Sequence, residues 1–257
     1  MNKRLLAGGI LSLNLLSVKG LPIDAMPTRK IDVSIPFKAG ERLLYVIRYG
    51  IIRAGFSTLE VGEGPLVKGR RTWKIVSRAW SNKVMDILYK VRDRNESWID
   101  AEGLYSLHFE QDLHEGSYQV RRWTDYDYGH GKFVRVEFKK GGEERQEGPL
   151  PDFVQDVFSS LYYSRTLPLE VGKTYEFLAN SNSKNWTLKV NVLGKETITV
   201  NAGKFDCLVV EPILLSEGIF RHQGRLKVWI TDDEKRIPVL VKSKVAIGAV
   251  DAELLKS

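Results

Sequence analysis

His108, Glu110, Asp112 and His114 are the first place in this sequence to look for metal chemistry, since all four are of types that bind divalent ions. Their spacing argues against a single ion. In an extended strand rising ~3.3 Å per residue, the two histidines stand about 20 Å apart, well beyond one ligand shell. A solvated strand face leading into the Glu115-Gly116 turn accounts for them; His130 and His222 are isolated, and no metal site is expected. Asp232-Asp233-Glu234 offers carboxylates for acid–base work, but the spacing is not that of an EF-hand, and adjacent acids in a turn are ordinarily solvated. Cys207, the only cysteine, lies in the run Phe205-Asp206-Cys207-Leu208-Val209-Val210. There a buried thiol behaves as a small hydrophobe, and no disulfide within the chain is open to it. No GxSxG, Walker A, GxGxxG, HExxH or CxxC pattern occurs. The expectation is a protein with no catalytic residues and no cofactor, with a hydrolase of dispersed carboxylates as the enzymatic alternative.

Aromatic residues beside cations offer a different chemistry, that of binding. Six Trp accompany ten Tyr and ten Phe. Trp80, Trp123 and Trp229 are the candidates for stacking or apolar contact, and Arg121, Arg122 and Arg225 for an anionic end. Neighbours on a strand face opposite sides, so Arg121 with Trp123 is the favoured pair, and Arg122 needs a bulge or a rim to join them. The competing reading is that these rings pack the core and the outer face of a sheet.

Strands must carry these groups, because period-two alternation recurs along most of the chain. Val134, Val136 and Phe138 alternate with Arg135 and Glu137; Leu188, Val190 and Val192 with Lys189 and Asn191; Leu226, Val228 and Ile230 with Lys227. Val239, Val241, Ser243, Val245 and Ile247 form a similar series against Lys242 and Lys244. Glycine-rich breaks such as Gly129-His130-Gly131 and Asn201-Ala202-Gly203 separate the runs, and Gly141 to Pro151 is the best internal linker candidate. One stretch has helical spacing: Phe153, Val154, Val157, Phe158 and Leu161, with Asp152 placed to cap it, Arg165 near its end and Pro168 beyond.

The two sides of that helix look alike. Ala39-Gly40-Glu41 and Val171-Gly172-Lys173 each open a strand pair; Trp98-Ile99-Asp100 and Trp229-Ile230-Thr231 each precede an acidic turn and a returning strand. The predicted fold is mainly β: a large antiparallel curled sheet, half-barrel or barrel, made of two similar meanders over about 37–140 and 168–257, with one main α-helix near residues 153–165. Residues 26–257 are expected to form a single β-rich domain.

Bulk composition sets the class. The 257 residues are 43% hydrophobic and 28% charged, ordinary for a globular protein. Met1 to Gly20 carries Lys3, Arg4 and Lys19 and no acid, and Leu5 to Val18 is largely apolar, too short to span a bilayer. This order of charge, apolar stretch and small residues predicts a cleavable signal over residues 1–25, with Gly20 and Ala25 as candidate cut points and no cysteine for lipid attachment. From Leu21 onward, 36 basic and 32 acidic residues leave a net charge of +4, too mild to imply nucleic-acid binding.

Several phrases resemble the exported bacterial family DUF3108. They are Phe37-Lys38-Ala39-Gly40-Glu41 with Tyr45, Arg53-Ala54-Gly55, the run from Gln155 to Arg165, and Trp229-Ile230-Thr231-Asp232-Asp233 with Arg236-Ile237-Pro238. The resemblance implies an exported β-rich domain without an established activity. Joined to the aromatic pattern, it leads to the expectation of a non-catalytic periplasmic binding or carrier protein for an amphipathic ligand, a lipid or a lipid-linked glycan, with no transmembrane span after signal removal. The alternative is an envelope assembly or protein-interaction scaffold acting on a protein partner.

Overall fold

The computed structural model describes residues 26–215, 226–244 and 248–257. Alternation does what the sequence implies: the chain forms one 14-stranded sheet in which every neighbouring pair is antiparallel. The first meander comprises β1 (Arg42–Tyr49), β2 (Ile52–Glu63), β3 (Thr72–Ser81), β4 (Arg92–Asp100), β5 (Ser106–Glu115), β6 (Tyr118–Asp127), β7 (Lys132–Lys139) and β8 (Gly142–Pro149). A short helix, α1 (Met85–Leu88), interrupts it between β3 and β4. The second meander follows helix α2 (Val157–Ser164) and comprises β9 (Thr174–Ser181), β10 (Lys184–Val200), β11 (Gly203–Leu215), β12 (Leu226–Thr231), β13 (Pro238–Lys244) and β14 (Ala249–Lys256). Strand β1 pairs with β14, which fuses the two meanders into a single curled sheet with β8 and β9 at its edges.

The segment between the edge strands bridges them. Gln155 forms a parallel bridge to Ala179 of β9, with Gln155 N to Leu178 O at 2.9 Å and Asn180 N to Gln155 O at 2.8 Å. Asn185 Nδ2 donates to Pro149 O at 2.6 Å. The stretch expected as a linker, Gly141 to Pro151, is therefore largely strand β8. Its sequence Gly-Glu-Glu-Arg-Gln-Glu-Gly-Pro is polar on both faces because a nearly fully exposed edge strand has no side to bury.

Helix α2 lies within the predicted span but is shorter, and its cap is Asp156, not Asp152. Asp156 Oδ1 accepts the amides of Phe158 (2.8 Å) and Ser159 (3.0 Å), completing a capping box with Ser159. Its Oδ2 accepts the hydroxyls of Ser97 on β4 (2.6 Å) and Ser106 on β5 (2.7 Å), so one carboxylate both starts the helix and docks it on the sheet. Burial raises the Asp156 pKa, opposed by these same hydrogen bonds. The buried face of α2 is Ser159, Ser160, Tyr162 and Ser164, while Val157, part of the expected apolar stripe, is exposed.

At the other end of α2, Arg165 is wholly buried. Its guanidinium grips Glu41 with two bonds (2.7 and 2.8 Å) and donates to Pro36 O (3.0 Å) and to Lys235 O (2.9 Å). Tyr45 Oη reaches Pro238 O at 2.8 Å. This knot ties the start of the first meander, the helix and the β12–β13 turn together.

The meanders share construction details. Gly40 (φ 91°) donates to Val61 O at 2.9 Å and Glu41 to Lys38 O at 3.1 Å; Gly172 (φ 83°) donates to Val192 O at 2.8 Å and Lys173 to Glu170 O at 3.0 Å. Trp98 and Trp229 each lie on the fourth strand of their meander, with a register shift immediately after the ring. Two residues on from each ring, Asp100 N bonds Tyr105 O and Thr231 N bonds Ile237 O, both at 2.9 Å.

Candidate functional site

One face of the sheet carries α2. Phe109 on β5 meets Phe158 with ring centres 6.1 Å apart, and Phe177 on β9 meets Tyr163 at 5.1 Å. Alternation then fixes which other side chains share that face. The helix fills the half near the β4–β5 turn, against the core cluster of Phe37, Val61, Ile75, Ile99, Leu104 and Tyr162. Among the described residues no helix covers the opposite half of the same face, where small and polar side chains such as Ser57, Ser77 and Ala79 stand with the apolar Leu59, Leu113 and Val120.

A polar row crosses this half. Asn95, Gln111, Arg122 and Glu137 are direct register partners on β4, β5, β6 and β7. Gln111 Nε2 donates to Asn95 Oδ1 at 3.1 Å, and Arg122 Nε donates to Gln111 Oε1 at 2.7 Å. Arg122 Nη1 stands 3.7 Å from Glu137 Oε2, which also accepts from Arg135 Nη2 at 2.6 Å. The Arg135 hydrogen bond holds the Glu137 carboxyl below its usual pKa, so it remains an anion. The row ends at a cavity of about 200 Å³ lined by Arg135, Glu137, Glu144, Gln146, Asn182 and Ser183, where the first meander faces the β9–β10 turn. The Ser183 hydroxyl is buried without a hydrogen-bond partner. Amides, guanidiniums and a carboxylate in one row present paired donors and acceptors, the set that recognises hydroxyl-rich or charged groups.

The residues singled out from sequence do not converge. Arg121 and Trp123 share a face, as alternation requires, but it is the face opposite α2; Trp123 stacks on Phe138 at 5.2 Å, and Arg121 is paired with Glu110 at 2.8 Å. Arg122 points to the helix side, into the polar row. Trp80 lies on the same outer face as Trp123, three strands and four residues away, against Phe56 at 6.0 Å. Trp229 is a correction: it is core, 7% exposed, among Cys207, Val209 and Leu240. The long β10–β11 hairpin folds over it, Ala202 N bonding Leu254 O at 3.0 Å and Trp229 Nε1 bonding Glu196 Oε2 at 2.8 Å. Arg225 lies outside the described residues.

The groups of potential chemistry are otherwise engaged. His108 stacks on Trp98 at 4.3 Å and bonds Asp125 at 2.6 Å, while His114 bonds Asp112 at 2.9 Å. Asp233 Oδ1 accepts from Thr231 Oγ1 (2.6 Å), Lys235 N (3.0 Å) and Arg236 N (3.1 Å), which makes it a turn-former. The Cys207 thiol is buried and its pKa is pushed up to about 11, chiefly by desolvation and then by Asp206. Among the described residues, no helix is long and apolar enough to cross a membrane, which leaves membrane-crossing strands unaddressed.

A family model described as "Protein of unknown function (DUF3108)" matches residues 44–255, nearly the whole described chain. The chain belongs to the DUF3108 family. No curated protein matches it. Among solved structures, a β-barrel-like protein of the domain of unknown function DUF1849 from Brucella abortus is similar over 84% of this chain and 95% of its own, at 13% identity and a TM-score of 0.56. That likeness is one of fold. A Bacteroides fragilis NCTC 9343 protein with a YmcC-like fold aligns over 86% of this chain and 97% of its own at 12% identity, with a TM-score of 0.29. The phrases that carry the DUF3108 resemblance have structural work in this chain: Glu41 and Arg165 form the buried ion pair, Asp156 caps and docks α2, and Asp233 shapes the β12–β13 turn. The polar row was missed from sequence. Asn95 and Gln111 carry no charge, and only their register with Arg122, set by three hairpins, brings them into line.

Proposed function

We propose that this DUF3108 protein is a non-catalytic binding or carrier protein of the bacterial envelope, which holds the polar portion of an amphipathic ligand on the helix-bearing face of its sheet. The observation that carries this reading is the row Asn95–Gln111–Arg122–Glu137, running across four strands into the cavity where the Ser183 hydroxyl lacks a partner. Such a row suits the hydroxyl-rich or anionic head of a lipid or lipid-linked glycan, because its amides, guanidinium and carboxylate offer paired donors and acceptors. The leader pattern, with Lys3 and Arg4 before an apolar stretch, supports export to the periplasm. Fractionation with N-terminal sequencing is expected to find a chain starting between Leu21 and Met26; an intact Met1 form in the cytoplasm sinks that part of the proposal.

Native mass spectrometry of protein purified from the periplasm tests binding. A co-purifying small molecule is expected on the wild type and its loss on Gln111→Leu, which removes the donor and acceptor at the middle of the row. An adduct-free wild type, or an adduct retained by a folded Gln111→Leu, overturns the assignment of the site.

A further inference from the structure

Large apolar side chains stand in solvent at the sheet end remote from α2. Ile51 is 96% exposed and Ile52 54%, at the turn between β1 and β2. Val84, Ile87, Leu88 and Tyr89 in and around α1 are 70%, 84%, 79% and 49% exposed, and α1 buries none of its residues. Scattered apolar residues on a surface need no explanation, but these occupy two adjacent tips. Asn82, which leads into α1, donates from its backbone to Ala54 O (2.9 Å) and from Nδ2 to Arg53 O (2.5 Å).

The tips are held firmly. Asn82 Oδ1 accepts the amides of Val84 (3.0 Å) and Met85 (2.9 Å), and Asp86 is clamped by Arg92 at 2.6 Å and by the Ser81 hydroxyl. The clamp also neutralises the only acid in α1. Arg53, Lys83 and Lys90 flank the apolar groups, are exposed, and make no ion pair among the described residues. Nearby, Asp93 accepts the amide of His114 at 3.0 Å.

We propose that this end of the sheet docks on an anionic lipid bilayer, with Ile51, Val84, Ile87 and Leu88 entering the headgroup region and Arg53, Lys83 and Lys90 meeting lipid phosphates. Apolar groups at convex tips, flanked by exposed cations, suit a soft anionic surface that can close around each tip. The proposal does not depend on a ligand in the polar row.

Co-sedimentation with vesicles tests it. The protein is expected to partition onto phosphatidylethanolamine vesicles containing phosphatidylglycerol and much less onto phosphatidylcholine alone. Ile87→Ser with Leu88→Ser is expected to lower that partitioning by at least about tenfold, since two buried side chains are lost. Lys83→Gln with Lys90→Gln is expected to abolish the preference for anionic vesicles. Neither variant is expected to shift the melting temperature, because α1 packs against no core. The proposal is overturned if the wild type ignores anionic vesicles or the serine variant binds as the wild type does. It is equally overturned if analytical ultracentrifugation shows a dimer that the serine variant dissolves, which would make the partner a second copy.

Discussion

Arg165 shows what a single side chain contributes in this molecule. A guanidinium removed from water is costly to bury, and its two bonds to Glu41 and two to carbonyls offset that cost only while every partner is present. Glu41→Gln is therefore expected to destabilise the protein by about 3–5 kcal/mol, read as a fall in the urea midpoint, because an unpaired cation is left in the core. Asp93 responds to pH instead. Desolvation raises its pKa to about 6, above the ordinary carboxylate value it regains on unfolding. Folding thus favours the protonated form, and this contribution to stability is fully present below the unfolded pKa and lost as pH rises through about 6. Asp93→Asn is expected to raise the melting temperature at pH 8 and leave it nearly unchanged at pH 4; equal shifts at both would place the Asp93 titration elsewhere. The tryptophans separate by burial. Trp229→Ala is expected to cost about 3–5 kcal/mol, as for other buried aromatic rings, whereas Trp123→Ala forfeits little beyond its stack on Phe138, about 1 kcal/mol.

At the scale of elements, Gly40 and Gly172 are equivalent turns opening the two meanders. Both have positive φ, and a Cβ on either meets nothing within 4 Å, so alanine adds only backbone strain. Gly40→Ala and Gly172→Ala are expected to destabilise by similar amounts, about 1 kcal/mol each, measured by urea titration. Unequal losses would mean the matching bonds hide different local constraints. Strands were legible wherever one face is buried, because alternation is the trace of that burial: Val190 and Val192 are 2% exposed. Strand β8 was not legible, since an edge with water on both sides leaves no period. The helix was visible, but its start was misplaced by four residues; Asp152 with Gln155 three beyond and Asp156 with Ser159 three beyond both read as caps, and only the fold selects the second pair. The candidate binding row stayed hidden for a related reason. Uncharged Asn95 and Gln111 acquire meaning only across strands, and the cover over Trp229 comes from a hairpin more than twenty residues away in sequence.

For the whole molecule, nearly all sheet pairing joins consecutive strands, which is the most local arrangement a sheet allows. The exception is β1 with β14, whose register runs from Leu44 opposite Lys256 to Tyr49 opposite Val250. A chain that is made from its N-terminus completes β1 well before β14. Throughout that interval the edge of β1 has its amides and carbonyls bare, beside Leu43 and Tyr45, which will be core. Bare strand edges next to apolar side chains invite pairing with the wrong chain. The order of synthesis thus sets this protein a waiting period that its native topology cannot shorten, and a helper that masks an open strand edge would matter most to it before Ala249–Lys256 arrives.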